Sequence, residues 1–420
     1  MSNDKAEFSR YKSLIDGSLK SILDDEKISQ ALRENSVEAM SGQKQIILIH
    51  DPCDIRKKYS DHLEHLGKVL DLEKNVINGY STFNTIAVDE KHKQVHFVDL
   101  KVYSNKEPHF VTEKELKQYQ EGRLAKSQNL EERQRAKVIK KLVKEDEYIN
   151  LLRITYEQLA KSSQAFKAAN SKIHITHVLD SGFDDKKKFQ FIDKTLKDEF
   201  VIRIKLSRNS SKISVDKENK PRYLKLKNVK FAKSKRFPIK KLVIKNKVYQ
   251  KATCLIEYDD YHIEKQTYTA VRVTLKDCQG QKIFKEPMLL LTNRKIKTLE
   301  QAYGVYFIYM QRSKIENVFK FLKEILGWEE FQVRDFESIK NIVALCFFVG
   351  GYFYEIESEL IENVNFQYLC DLGGGKGQYT RHFFLKGLAK ILTVKSVDQF
   401  IQKQGISDEE FQQMKDVLIY

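Results

Sequence analysis

The stretch that decides how this chain folds is Tyr309–Leu326, "YMQRSKIENVFKFLKEIL". Side chains on an α-helix turn by about 100° per residue, so with Glu316 at zero Tyr309 falls near +20°, Arg312 near −40° and Lys323 near −20°. Ile315, Val318, Phe319, Leu322, Ile325 and Leu326 fill an adjoining arc from about −60° to −180°. A single helix over 309–326 is therefore expected, with an apolar stripe for a core. Beside that stripe runs a line of one phenol, one guanidinium, one carboxylate and one ammonium, about 21 Å long. An i,i+4 ion pair between Arg312 and Glu316 would explain two of the four. It leaves Tyr309 and Lys323, aligned on the same face, without a reason.

Acids that could meet such a stripe lie far upstream. "QIILIHD" is an apolar run of strand length ending at Asp51, and "KIHITHVLD" ends at Asp180. A strand tip is a rigid place to present a carboxylate, although turns favour Asp for their own reasons. Between them "FNTIAVDE" (83–90) and "VHFVDLKVYS" (95–104) alternate like antiparallel strands. Residues 113–168 hold no proline and only Gly122, and read as one or two long helices. "DDKKKFQFIDKTLK" reads as a helix and "FVIRIKL" (200–206) as a strand. Short basic β-like segments follow to about residue 293, and helical spacing resumes from about Leu299. This order predicts an α/β protein whose mixed sheet is interrupted by a β-rich insertion.

The spacing Tyr309-x2-Arg312-x3-Glu316-x6-Lys323 resembles the YREK signature of the insertion-sequence-four family of bacterial transposases, within the DDE superfamily. "LLLTN" (289–293) resembles the strand that precedes that helix. "VLDSGFD" (178–184) is similar to the block around the family's second aspartate, and "ILIHDPCDI" (47–55) to the block around its first. The resemblance runs from about residue 45 to 390. It departs at Cys53, where the family often has Thr, and at Ser181, where Arg is usual. Only 50 residues precede Asp51, where the family has a longer DNA-recognising region, so either reduced end recognition or a shortened copy is expected.

The resemblance implies a ribonuclease-H-like, retroviral-integrase-like core with helical N- and C-terminal regions. The segments would be 1–44 (N-terminal helical), 45–206 (core, first part), 207–293 (basic β-rich insertion), 294–360 (core, second part) and 361–420 (C-terminal helical). It implies Asp51, Asp180 and Glu316 as catalytic, metal-binding carboxylates for Mg²⁺ or Mn²⁺. Tyr309, Arg312 and Lys323, with Lys233, Lys235 and Arg236 of the insertion, would contact DNA. The implied activity is metal-dependent DNA cleavage and strand transfer, on transposon ends and target duplex, by a homodimer in the cytoplasm at the nucleoid. A catalytically inactive DNA-binding derivative is the alternative. Some relatives stack a flipped base on a Trp of the insertion; here Tyr249, Tyr258 or Tyr261 would have to serve, since the sole Trp is Trp328.

Charge points the same way without the resemblance. The chain of 420 residues carries +16, and residues 201–250 alone hold 17 Lys/Arg against Asp216 and Glu218. Nearly all of the net charge thus sits in one block, the footprint of a polyanion site. Cys53, Cys254, Cys278, Cys346 and Cys370 are scattered and never in CxxC spacing, which argues against a disulfide framework or thiolate zinc site. The first twenty residues have no apolar core, so no secretory signal is expected. The longest apolar run, "IVALCFFVGGYF" (342–353), is too short for a bilayer and reads as a buried helix.

Two tempting motifs remain. "YLCDLGGGKGQY" (368–379) looks like the cofactor loop of S-adenosylmethionine-dependent methyltransferases. Such a loop follows a first strand and precedes several strand–helix units, whereas only 43 of the 420 residues follow Gly377. A loop between C-terminal helices is expected instead. His174 and His177, three apart on a strand, point to opposite faces and do not form a chelating pair.

Overall fold

The computed structural model describes residues 24–215, 221–244, 247–360 and 364–404. Residues 1–23 of the expected N-terminal helical region, and 361–363 and 405–420 of the C-terminal one, lie outside the described residues. The chain forms two compact units, Met1–Gly351 and Tyr352–Tyr420.

The first unit is built on a mixed sheet of ten strands. β1 (Gln45–Arg56) is an interior strand, antiparallel to β3 (Val76–Val88) on one edge and parallel to β5 (His174–Leu179) on the other. β4 (Val95–Tyr103) pairs with the far edge of β3, as does a short strand, β2 (Gly67–Leu70), that alternation does not reveal. β6 (Glu199–Arg203) continues the parallel run beside β5. Ile46 to Ile49 are fully buried, as a strand between helical layers on both faces requires.

The β-rich segment does not stand apart from this sheet. β12 (Met288–Thr292) pairs with β6, and β11 (Gln266–Lys276), β10 (Lys247–Ile263) and β9 (Lys233–Ile244) follow outward. Among the described residues, only β7 (Asn209–Val215) and β8 (Pro221–Lys225) form a separate pair. The insertion expected at 207–293 therefore extends the sheet it interrupts.

Between β4 and β5 the chain makes three helices rather than one or two: α2 (Glu113–Gln120), α3 (Leu130–Glu145) and α4 (Leu151–Ala169). Each has its own N-cap, Thr112, Asn129 and Asn150, whose side chain accepts the amide of Glu115, Glu131 and Arg153 respectively. α1 (Asp25–Ala39) is fastened to β4 through Arg33 and the buried Asp99, 2.6 Å apart, and through Ser29 and Ser36 on backbone carbonyls. α5 (Lys186–Gln190) precedes β6. Alternation along β1 places Ile46 and Leu48 against Phe166 of α4, so the odd-numbered residues, Asp51 among them, face the other side.

That other side receives the decisive stretch, and as two helices: α6 (Leu299–Met310) and α7 (Ser313–Glu324). Between them the amides of Gln311, Arg312, Lys314 and Ile315 each bond the carbonyl three residues back, and the Ser313 hydroxyl donates to Met310 O. The helix tightens there for one turn instead of running unbroken. α8 (Phe336–Leu360) contains the apolar run, and it is longer than that run suggested. By length and composition alone it could cross a membrane, but half of its apolar window is buried inside the protein, as in a core helix. Gly350 lets it approach the sheet: a methyl group there would meet Leu322 at 2.7 Å and Phe97 at 3.1 Å.

In the second unit, α9 (Val364–Leu372) and α10 (Arg381–Gln404) pack through Phe366, Leu369, Cys370 and Phe384. Gly373–Gly377 form the loop between them, as expected, and Asp371 accepts the amide of Gly377. The element that leads into the glycines is α9, a helix rather than a strand.

Candidate active site

Asp51 is on β1 just past Ile49, the last residue of β1 to pair with β5. Asp180 is the first residue after β5 and precedes a single turn of 3₁₀ helix, Ser181–Phe183. The two acids are thus neighbours at the end of adjacent parallel strands, although 129 positions apart in sequence. Glu316 comes to them from the first turn of α7.

All three carboxylates surround the guanidinium of Arg312. Its Nη2 donates to Asp51 Oδ2 at 2.8 Å and lies 3.8 Å from Asp180 Oδ2, and its Nη1 donates to Glu316 Oε1 at 2.5 Å. Because both aspartate oxygens border one nitrogen, their separation cannot exceed 2.8 plus 3.8 Å. The hydroxyl of Tyr309, itself buried, donates to Asp180 Oδ1 at 3.0 Å. Tyr309, Arg312 and Glu316 therefore meet the two aspartates as one group. The tightened turn between α6 and α7 aims the guanidinium at them.

The electrostatics are those of an acidic pocket held by one cation. Burial raises the Asp51 carboxyl from 3.8 to about 7, with Arg312 opposing the shift and Asp180 and Glu316 adding to it. Arg312 is itself partly desolvated, yet Asp51, Asp180, Tyr309 and Glu316 raise it above the ordinary guanidinium range. Burial, then the Asp180 charge, pushes the Tyr309 phenol well up. Arg312 Nε is buried with no partner, as is Asn84 Oδ1, on β3 directly opposite Asp51 in the antiparallel register. Directly opposed residues share a face of the sheet.

Behind Asp51, on the α4 side, a buried chain of polar side chains fixes the strand ends. His50 Nε2 is 2.9 Å from His177 Nδ1, and His177 Nε2 is 3.1 Å from Asp198, which also accepts from Ser163 and Lys167. His174, by contrast, is exposed at the start of β5, so the two histidines do not share a site.

Lys323 goes elsewhere. Its ammonium donates to Asp54 O at 2.6 Å and to Glu329 Oε1 at 3.0 Å. The same Glu329 holds Arg56. Neither Glu329 nor Arg56 is signalled by spacing, because their partnership depends on a turn after α7. Asp54 and Asp184, which stand near Asp51 and Asp180 in sequence, are engaged otherwise: Asp54 with the Ser81 hydroxyl and Leu70 N, Asp184 with Arg208 and Lys205 N.

On the basic strand β9, Lys233 bonds the Tyr258 hydroxyl at 3.0 Å, Lys235 pairs with Glu300 at 2.5 Å, and Arg236 is exposed. Tyr258 and Tyr261 are buried, with hydroxyls spent on Lys297 O and Asn209 O, so neither offers a free stacking face; Tyr249 is half-buried. Trp328 is buried against Phe319 and Phe347, its indole N–H on Val343 O at 3.0 Å.

Among the described residues, no three His, Cys, Asp or Glu side chains stand around a common point ready for a metal ion. At Asp51, Asp180 and Glu316 that point is filled by the guanidinium. The donor set still fits a hard divalent cation: oxygens only, a carboxylate whose charge burial disfavours, and the unpartnered Asn84 Oδ1 on the same face.

A comparison with curated proteins finds no match to this chain. Residues 152–349 match the family model described as transposase DDE domain. The matched segment begins in α4 and ends in α8, containing Asp180, Tyr309, Arg312 and Glu316 but not Asp51. The mixed α/β sheet is consistent with the ribonuclease-H-like fold of such enzymes, and the match supports a DDE transposase.

Proposed function

We propose that this chain is a transposase of the insertion-sequence-four type that cuts and joins DNA strands through Asp51, Asp180 and Glu316. The observation that carries the reading is the convergence of these three carboxylates, from β1, the end of β5 and α7, on one guanidinium. Asp51, Asp180 and Glu316 would hold Mg²⁺ or Mn²⁺, which would supply positive charge beside the scissile phosphate when bound. For a cation to take its place among the acids, Arg312 turns its guanidinium to a DNA phosphate, which it can hold in bidentate fashion. Tyr309 holds Asp180 in position through its hydroxyl. The partner is duplex DNA, at transposon ends and at the target, gripped also by the basic strand carrying Lys233, Lys235 and Arg236. A homodimer acting at the nucleoid completes the proposal, with cut-and-paste chemistry and no covalent protein–DNA intermediate.

The test is cleavage of a labelled duplex bearing the inverted repeats that flank the gene, in Mg²⁺ or Mn²⁺. Wild type nicks at the element end and Glu316→Gln does not. Equal nicking by both proteins, or none by either, defeats the assignment, and binding without nicking by wild type identifies an inactive DNA-binding derivative.

A further inference from the structure

The chain leaves the sheet at Tyr103, the last residue of β4, and rejoins it only after α4. Tyr103 lies opposite Ser81 of β3, and Ser81 lies opposite Asp54 of β1. The departure is therefore at the end of the sheet that carries Asp51 and Asp180. Phe110, stacked on Tyr103, belongs to the same buried cluster as Phe183 in the turn after Asp180. α2 and α3 are held at that end around a small core of their own, formed by Val111, Leu124, Ala136, Ile139 and Leu142.

Ala136, Ile139 and Leu142 commit one face of α3 to this core. With Lys137 at zero on the helix, Arg133 falls near −40°, Lys140 near −60°, Lys141 near +40° and Lys144 near −20°. All five are exposed, and they form a cationic stripe about 17 Å long on the outer face. A solvated surface helix is helped when i,i+4 neighbours carry opposite charges. Here Arg133, Lys137 and Lys141 follow one another at that spacing, and so do Lys140 and Lys144. These are three like-charged pairs, each of which disfavours the helix. Among the described residues, Lys141 alone of the five has an acid within reach, Glu145 at 3.9 Å. The helix dipole favours a cation in the last turn, which accounts for Lys144 and for none of those before it. Arg135, by contrast, turns inward to Glu115 and Phe110 O, so the cation that serves the fold is off the stripe.

We propose that the outer face of α3 is a docking surface for the backbone of duplex DNA, separate from the reacting centre and indifferent to base sequence. A duplex presents phosphates in rows, and neutralising them relieves the repulsion along Arg133, Lys137 and Lys141. The proposal rests on the reading of the chain as a DNA-processing enzyme. It gives the excursion over 104–150 a task there, which is to hold the duplex that approaches the acids.

The experiment titrates the full chain with a fluorescent duplex of arbitrary sequence, in Ca²⁺ so that no cleavage occurs, over a series of KCl concentrations. Lys137→Gln/Lys140→Gln/Lys144→Gln removes three charges and keeps good helix formers. The slope of log Kd against log salt should fall by about 2.7, three phosphates at about 0.9 each. Replacing the same three lysines by Arg keeps the charge and should keep the slope. Lys91→Gln/Lys93→Gln/Lys172→Gln makes the same change at the opposite end of the sheet, in the β3–β4 turn and just before β5, and should leave the slope unaltered. A fall of less than about one in the first variant, or an equal fall in the Arg variant or in the distant one, overturns the docking surface. So does loss of binding to vesicles of phosphatidylserine and phosphatidylcholine with the DNA slope unchanged, which would assign the face to a membrane. The two readings fail separately. Cleavage of the flanking-repeat duplex by wild type in Mg²⁺, with an unchanged slope in the first variant, leaves the transposase and removes the docking surface. The expected slope change, without cleavage by wild type, does the reverse.

Discussion

Replacing Asp51 by Asn should make the metal-free protein more stable, and by an amount that depends on pH. Asp51 is 7 % exposed, and burial raises its carboxyl from 3.8 to about 7 even with Arg312 beside it. The folded protein therefore holds this proton more tightly than the unfolded chain does. Its stability is highest below the unfolded value and falls as pH rises through the folded one, flattening above about 7. Three pH units of difference at 1.36 kcal/mol each give a full penalty of about 4 kcal/mol, of which about 2–3 kcal/mol accumulates between pH 5 and 8.

Asn carries no such ionisation. Urea unfolding of wild type and Asp51→Asn in EDTA, at pH 5, 6, 7 and 8, should show the variant gaining on wild type by about 2–3 kcal/mol over that range. The gain should stop near pH 7, and Mn²⁺ at pH 8 should close much of the gap by stabilising wild type alone. Two stability curves that stay parallel from pH 5 to 8 would refute the reasoning, because Asp51 would then be no more burdened in the fold than in the open chain. Carrying an unfavourable carboxylate in the folded state is what a site that trades stability for binding would do.

Other substitutions separate the parts of the site. Arg312→Met leaves Asp51, Asp180 and Glu316 without their shared cation and should cost about 3–5 kcal/mol at pH 8 in EDTA, measured by thermal unfolding, with partial recovery in Mg²⁺. Tyr309→Phe removes the bond to Asp180 Oδ1 and should cost about 1–3 kcal/mol, read by urea midpoint at constant slope. Trp328→Ala empties a buried position and removes the indole bond to the Val343 carbonyl, for a loss of about 3–5 kcal/mol by the same assay.

Much of this architecture is legible in residue order, and the illegible parts have physical causes. "QIILIHD" and "KIHITHVLD" read as strands because burial on both faces demands unbroken apolar runs, and β1 and β5 are those strands. β2 escapes notice because four residues are too few for alternation to register. The three helices of 113–169 merge in a reading that looks for glycine and proline, since only the first break carries a glycine, Gly122 at φ 70°, and the second is made by Asp146 in a left-handed conformation and the Asn150 cap. The stripe of Tyr309, Arg312 and Glu316 survives the break between α6 and α7, as a turn with three residues per step changes their angles little. Lys323 keeps the phase of that stripe but not its destination. Spacing along one helix gives direction only, and Glu329 and Asp54, on other segments, decide where the ammonium ends. The glycine cluster at 373–377 misleads by composition alone, and its place between two helices could be anticipated from what flanks it.

The most direct test of the central claim is the binding of Mn²⁺, followed by electron paramagnetic resonance, to wild type and to Asp51→Asn, Asp180→Asn and Glu316→Gln. If the three acids share a divalent ion once Arg312 has turned away, each substitution should weaken binding by at least tenfold. Wild-type affinity in any of the three, in a folded variant, would contradict the account.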